Sequence, residues 1–320
     1  MTNLSLRPRR ALAVSACSLT LLLSGCGADS DSGSKGGGGT TLGFVNGADT
    51  EFHTCLQKSI EQTAEKQNVK LYTANSHQNP GTELSNIEDM ISRNVSALVV
   101  QTVNTDALKG DIAKAKAAGI PIFLTSVSSE ADDILGAVLV DLTQVGKLDA
   151  GWVEKDAGGR SVQVGVVAGA PGAASDLLVD GFTKALPKNA KVVANQPGMF
   201  NAAKAQDVAE NMIQAHPDLD YAFVANEEMG FAVRKAFDAA GKKDVKIVTV
   251  NGTDKGLAAV KDGRFSATVA NSAKDTGEIA VKNSVALLRE EKTEKIAHTP
   301  IRLITKDNTD TAPLYCPADK

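Results

Sequence analysis

Few residues in this chain have the types and spacing that catalysis needs. The histidines His53, His77, His216 and His298 are scattered, with no metal-ligand spacing to one another or to the cysteines. Neither a Gly-x-Ser-x-Gly elbow nor a Walker phosphate loop occurs. Gly165, Gly169 and Gly172 follow an apolar run without the spacing of a dinucleotide loop, and a tight strand-to-helix turn accounts for them. The pair Glu227-Glu228 has the chemistry of acid–base carboxylates, but at a helix start it is expected to serve the helix dipole or to face solvent. The residues thus point away from an enzyme, and they call for no metal and no cofactor. What stands out instead is a set of amides and hydroxyls directly after apolar runs: Asn46, Thr102, Ser126, Asn226 and Asn251.

The N-terminus carries a different chemistry. Arg7, Arg9 and Arg10 precede an uncharged run from Ala11 to Leu23, shorter than the ~20 apolar residues a membrane span needs. This is the layout of a secretory signal over residues 1–25. Its end, Leu23-Ser24-Gly25-Cys26, resembles the lipobox of bacterial lipoproteins, which implies acylation of Cys26 as the new N-terminus. The alternative is an ordinary cleaved signal with a chance cysteine. Residues 26–40, rich in Gly and Ser, then form a lipidated flexible linker with a reach of roughly 20 Å. The expected location is extracytoplasmic, on the outer face of the cell membrane. Cys17 leaves with the signal, so Cys55 and Cys316 remain. In an oxidising compartment they suggest one disulfide, with two separate thiols as the alternative.

Charge narrows the partners. The chain has 34 basic and 38 acidic residues. The signal takes three arginines and no acids, leaving a mature net charge of −7. A mildly acidic protein without a basic stripe is a poor nucleic-acid binder.

The elements that must position the polar residues alternate in type. Apolar runs at Thr41–Val45, Ala97–Gln101, Ile120–Leu124, Val162–Val167, Tyr221–Val224 and Val245–Val250 read as buried parallel strands, and amphipathic helices lie between them. A weak internal repeat shifted by about 122 residues relates Leu42–Gly47 to Val164–Gly169, and the next two strands follow at nearly the same shift. The fold class expected is α/β, with two similar doubly wound parallel-sheet domains side by side. Ligands of open parallel sheets bind beyond the carboxyl ends of the strands. Two such edges facing each other make a cleft.

Three long stretches carry a family resemblance: QNPGTELSNIEDMISRNVSALVVQTVNTDAL, QAHPDLDYAFVANEEMGFAVRKAF and VNGTDKGLAAVKDGRFSATVA. In order and spacing they resemble the ribose-type (type I) periplasmic sugar-binding proteins, the solute-binding components of ABC importers. The resemblance runs from Thr41 to about Thr305. It implies a clamp with a three-strand hinge crossed near Asp141, Asn271 and Pro300. The lobes would be residues 41–141 plus 272–299 and residues 142–271 plus 300–320.

The same resemblance puts Asn46, Thr50, Phe52, His53, Ser126, Asp176, Phe200, Asn226, Asn251 and Asn271 at ligand-facing positions. Phe52 and Phe200 match aromatics that sandwich a sugar, Asn226 matches an amide and Asn271 stands where an amide usually lies. His53 is expected to stack or hydrogen-bond, or else to be an exposed histidine at a helix start. Pentose binders instead place an aspartate and an arginine after the strand ending at Ser126-Val127, an arginine where Asp176 stands, and an aspartate at Asn251. A cleft of amides and hydroxyls suits a small neutral polyhydroxylated ligand, a sugar or polyol, better than a phosphate or carboxylate. The implied role is monomeric capture of that ligand and delivery to an ABC permease. Alternatives are a co-receptor presenting a ligand to a membrane sensor, or a binder of an apolar or aromatic molecule.

Overall fold

The computed structural model describes residues 39–127 and 133–319. The signal-like segment, Cys26 and the linker up to residue 38 lie outside the described residues.

Two six-stranded sheets form the frame. The first contains β1 (Thr41–Asn46), β2 (Lys70–Asn75), β3 (Ala97–Val100), β4 (Ile122–Ser126) and β5 (Gly136–Leu139). The second contains β6 (Val162–Ala168), β7 (Ala190–Pro197), β8 (Tyr221–Val224), β9 (Lys246–Asn251) and β10 (Ala267–Asn271). Late in the chain β11 (Ile296–His298) joins the first sheet and β12 (Ile301–Ile304) the second. Their orders are β11-β5-β4-β3-β1-β2 and β12-β10-β9-β8-β6-β7. Position for position these are the same, so the sequence repeat is a repeat of topology. Every pairing is parallel except that of β12 with β10. The α/β class with two parallel-dominated domains is therefore the observed fold.

Strands β3 and β8 are buried at every position, as only strands covered on both faces can be. The covering helices are α1 (Glu51–Lys66), α2 (Pro80–Ser92), α3 (Thr105–Ala117) and α4 (Leu142–Ala157). They continue with α5 (Ala173–Ala185), α6 (Ala202–Ala215), α7 (Glu227–Ala239), α8 (Asp254–Asp262) and α9 (Ala273–Leu288). Helices α4 and α5 meet backbone to backbone. A Cβ on Gly146 would lie 2.3 Å from Leu178 O, and one on Gly181 would lie 2.2 Å from Thr143 O. This reciprocal pair of glycines sets how closely the two helices pack.

The chain passes between the sheets where helices begin. After β5, Asp141 caps α4 by accepting from Gln144 N at 2.8 Å, and α4 packs on α5 and the second sheet. After β10, Ser272 caps α9 by accepting from Asp275 N at 3.0 Å, and α9 returns to α1 and the first sheet. The third passage joins β11 to β12.

The end of the chain corrects one expectation. The tail after β12 does not stay with the second lobe to residue 320. Lys274 N donates to Tyr315 O at 2.9 Å, and Ser272 Oγ to Leu314 O at 2.7 Å. Tyr315 is buried in the first domain's core, in the same apolar cluster as Leu56, Ile60 and Val281. Cys316 is joined to Cys55 of α1 by a disulfide, with Cα atoms 4.9 Å apart. Apolar burial and a covalent bond hold this tail on the first domain.

Candidate ligand-binding cleft

Strand ends from both sheets converge on a cavity of about 350 Å³, within the range of small-molecule sites. The first domain supplies Thr50, Phe52 and His53 from the start of α1, Gln101, Thr102 and Asn104 after β3, and Ser126 at the end of β4. From the second domain come Phe200, Asn226, Asn251 and Asn271. Among the described residues, no lysine or arginine lines the cavity. No cluster of three or more potential metal ligands exists among the described residues.

Two of the ligand-facing expectations are corrected. Asn46 is buried beneath α1, where its Nδ2 donates to His53 O at 3.1 Å and to Gln57 Oε1 at 3.3 Å. It holds the first turn of the helix and does not line the cavity. Asp176 is exposed and does not line it either. Its helix turns Leu178 inward, and two residues apart on a helix face nearly opposite ways.

His53 belongs to the cleft. Its Nδ1 lies 2.7 Å from Thr50 Oγ1, and its ring meets Phe52 edge to face with centroids 5.6 Å apart. Burial lowers the imidazole pKa to about 4, against the opposing pull of Asp49. The ring is neutral at physiological pH, so it offers a hydrogen bond and no charge.

The asparagines differ in what they have left to give. Asn226 caps α7, with Oδ1 accepting from Met229 N at 2.9 Å. Asn251 Oδ1 lies 3.5 Å from Glu227 N. Asn271 Oδ1 and Ser126 Oγ are buried with no protein partner among the described residues. Of nine non-glycine residues with positive φ among the described residues, five line the cavity: Gln78, Ser126, Met199, Phe200 and Asn251. Strain of this kind collects where surrounding structure holds a binding site in shape. The Phe200 ring lies over Gly169, where a Cβ would come within 2.1 Å of it. That glycine is a seat for the aromatic as well as part of a turn.

The adjacent glutamates divide their labour, correcting the dipole-or-solvent expectation. Glu227 is 1% exposed. Its Oε1 accepts from Gly252 N (2.9 Å) and Thr268 Oγ1 (2.7 Å), and its Oε2 from Thr253 N (2.9 Å). It ties the turn after Asn251 to β10. Glu228 faces the cleft, and its Oε1 accepts from Glu51 N at 3.2 Å, at the first turn of α1 in the other domain. It does serve a helix dipole, but that of a helix across the cleft. Burial raises its carboxyl above the usual range.

Behind the first domain's wall, Glu83 is fully buried and accepts from Thr102 Oγ1 at 2.8 Å and Val103 N at 2.6 Å. These bonds present Thr102–Asn104 to the cavity. Burial outweighs them and lifts the Glu83 carboxyl to about 7.

Sequence reasoning missed Gln101, Asn104, Glu51 and Glu228, together with an apolar wall of Val127, Val140, Leu142 and Leu178. Gln101 closes a readable apolar run and was open to notice. The wall was not, because its members come from three separate segments.

Residues 43–292 match the model of the periplasmic binding protein domain. The chain belongs to the periplasmic binding protein family. This binding protein is 29% identical over 268 residues to the ribose import binding protein RbsB of Bacillus subtilis (strain 168), covering 83% of the chain and 87% of the relative. It is 27% identical over 269 residues to the xylitol-binding protein of Mycolicibacterium smegmatis, covering 82% and 76%. A solved structure, the periplasmic binding component of the arabinose ABC transporter from Shewanella sp. ANA-3 bound to α- and β-L-arabinofuranose, superposes with a TM-score of 0.80. It shares 25% identity and covers 85% of this chain and 94% of its own. These relatives are solute-binding transport proteins and not enzymes, and the family works outside the cytoplasm.

Proposed function

We propose that this binding protein captures a small neutral polyhydroxylated molecule, a sugar or polyol, between its domains and delivers it to an ABC permease. One observation carries the reading: among the described residues the cavity is lined by amides and hydroxyls from both domains and by no lysine or arginine. Amides and hydroxyls both donate and accept, as a polyol does, and an anion would meet no cation. The relatives named for ribose, xylitol and arabinose support the same class. A ligand touching both walls favours the closed arrangement, and closure is the signal a permease can read. One chain supplies both walls, so a monomer suffices.

Calorimetry against pentoses, hexoses and polyols tests this. Asn271→Ala is expected to weaken the tightest of them by about ten- to a hundredfold, because a ligand group loses its partner in a dry site. The unliganded melting temperature should hold or rise, since an unpaired buried oxygen is removed. No binding by any sugar or polyol, or unchanged affinity in Asn271→Ala, would count against the reading.

The anchor is the second part of the proposal and rests on Leu23-Ser24-Gly25-Cys26 after the signal-like run. Labelled palmitate should enter the wild type and not Cys26→Ser. Equal labelling would exclude the lipid.

A further inference from the structure

The cavity lining has a polar part and an apolar part. Asn226, Asn251 and Asn271 lie at the ends of second-sheet strands. In the first sheet Thr102 and Ser126 are polar too, but the residues directly after β4 and β5 are apolar. β4 is followed by Val127 and β5 by Val140, and both line the same cavity. Leu142 at the start of α4 and Leu178 of α5 join them, and all four belong to one continuous apolar cluster. Val127 and Val140 follow first-sheet strands yet belong to what is otherwise the second domain's core, so this wall spans the joint between the domains. None of the four carries a side-chain donor or acceptor. A hydroxyl pressed on them would give up its water and gain no partner.

Resting on the reading of the cleft as a site for a polyhydroxylated ligand, we infer that the ligand is amphipathic. Its hydroxylated part meets the asparagines, and an alkyl or deoxygenated end packs against Val127, Val140, Leu142 and Leu178. This wall selects among sugars by rejecting a hydroxyl at that end. Val127 is the residue best placed to set the preference, because threonine has nearly its shape and adds one hydroxyl.

Matched pairs test the inference: D-galactose with D-fucose, L-mannose with L-rhamnose, and D-glucose with its methyl glycoside. All are titrated calorimetrically into the full-length mature protein, with cyclohexanol as an apolar control. In at least one pair the deoxy or methylated member should bind about tenfold or more tightly than its partner. Val127→Thr should narrow that gap by strengthening the hydroxylated member, while the unliganded melting temperature stays within a few degrees. If the more hydroxylated member of each binding pair is equal or tighter, the apolar end is wrong and the sugar reading stands. If no sugar binds, whether or not cyclohexanol does, both the sugar reading and this inference fall.

Discussion

Replacing Cys55 and Cys316 together by serine should lower stability by about 5 kcal/mol, the largest single loss expected in this protein. The disulfide closes a loop of 261 residues, and the chain-entropy model assigns about that much to a loop of such length. A loss of this size should move the melting temperature down by about 10 °C or more. Scanning calorimetry of the double mutant against the oxidised wild type is the measurement. A difference under about 1 kcal/mol would mean that the packing of Tyr315 alone holds the tail. Opening of the cleft should not suffer from the bond. Both cysteines sit against the first domain's core, so the sulfurs do not bridge the cleft, although the tail that carries Cys316 arrives from β12.

Glu227→Ala should cost about 3 kcal/mol or more, while Glu228→Ala, one residue on, should change the unliganded stability by less than about 1 kcal/mol. Removing Glu227 strands the amides of Gly252 and Thr253 and the hydroxyl of Thr268 in a dry interior, each a penalty of about 1–3 kcal/mol before relaxation. Some of the loss is returned, because burial already raises the Glu227 carboxyl above its usual range. Glutamine at 227 should fall between, since its NH₂ group would face a donor. Glu228 makes a single bond to Glu51 N from a half-buried position, which predicts the small effect. Chemical denaturation of the two alanine variants compares them directly. Equal losses would mean that the two carboxylates are used alike.

The elements most legible in the sequence were those whose environment leaves a mark on composition. β1, β3, β6, β8 and β9 are covered on both faces, so they read as unbroken apolar runs. β2 and β7 lie at sheet edges with mixed exposure and carry no such run. β5 (GAVL) and β10 (ATVAN) are rich in small residues despite their burial, and β11 and β12 are short and partly exposed, so none of them stands out as an apolar run. The run Ile120–Leu124 was found but sits two residues early, because the chain turns into β4 only after Pro121.

The site divides along the same line. A polar residue closing a parallel strand points to the cleft by topology alone, and Ser126, Asn226 and Asn251 were readable for that reason, whereas Asn271 came only from the family resemblance. Asn46 closes a strand too, yet the arrival of α1 over it turns its amide to His53 and Gln57. The phase of α5 sent Asp176 to solvent and Leu178 to the cavity. Alternation of apolar runs and helices, and their repetition, were local properties, so the sequence by itself determined two like α/β domains with polar strand ends. The apolar wall, the two uses of Glu227 and Glu228, and the return of Cys316 to α1 join residues far apart in the chain. Only tertiary packing decides such contacts, because their energy exists once both domains are in place.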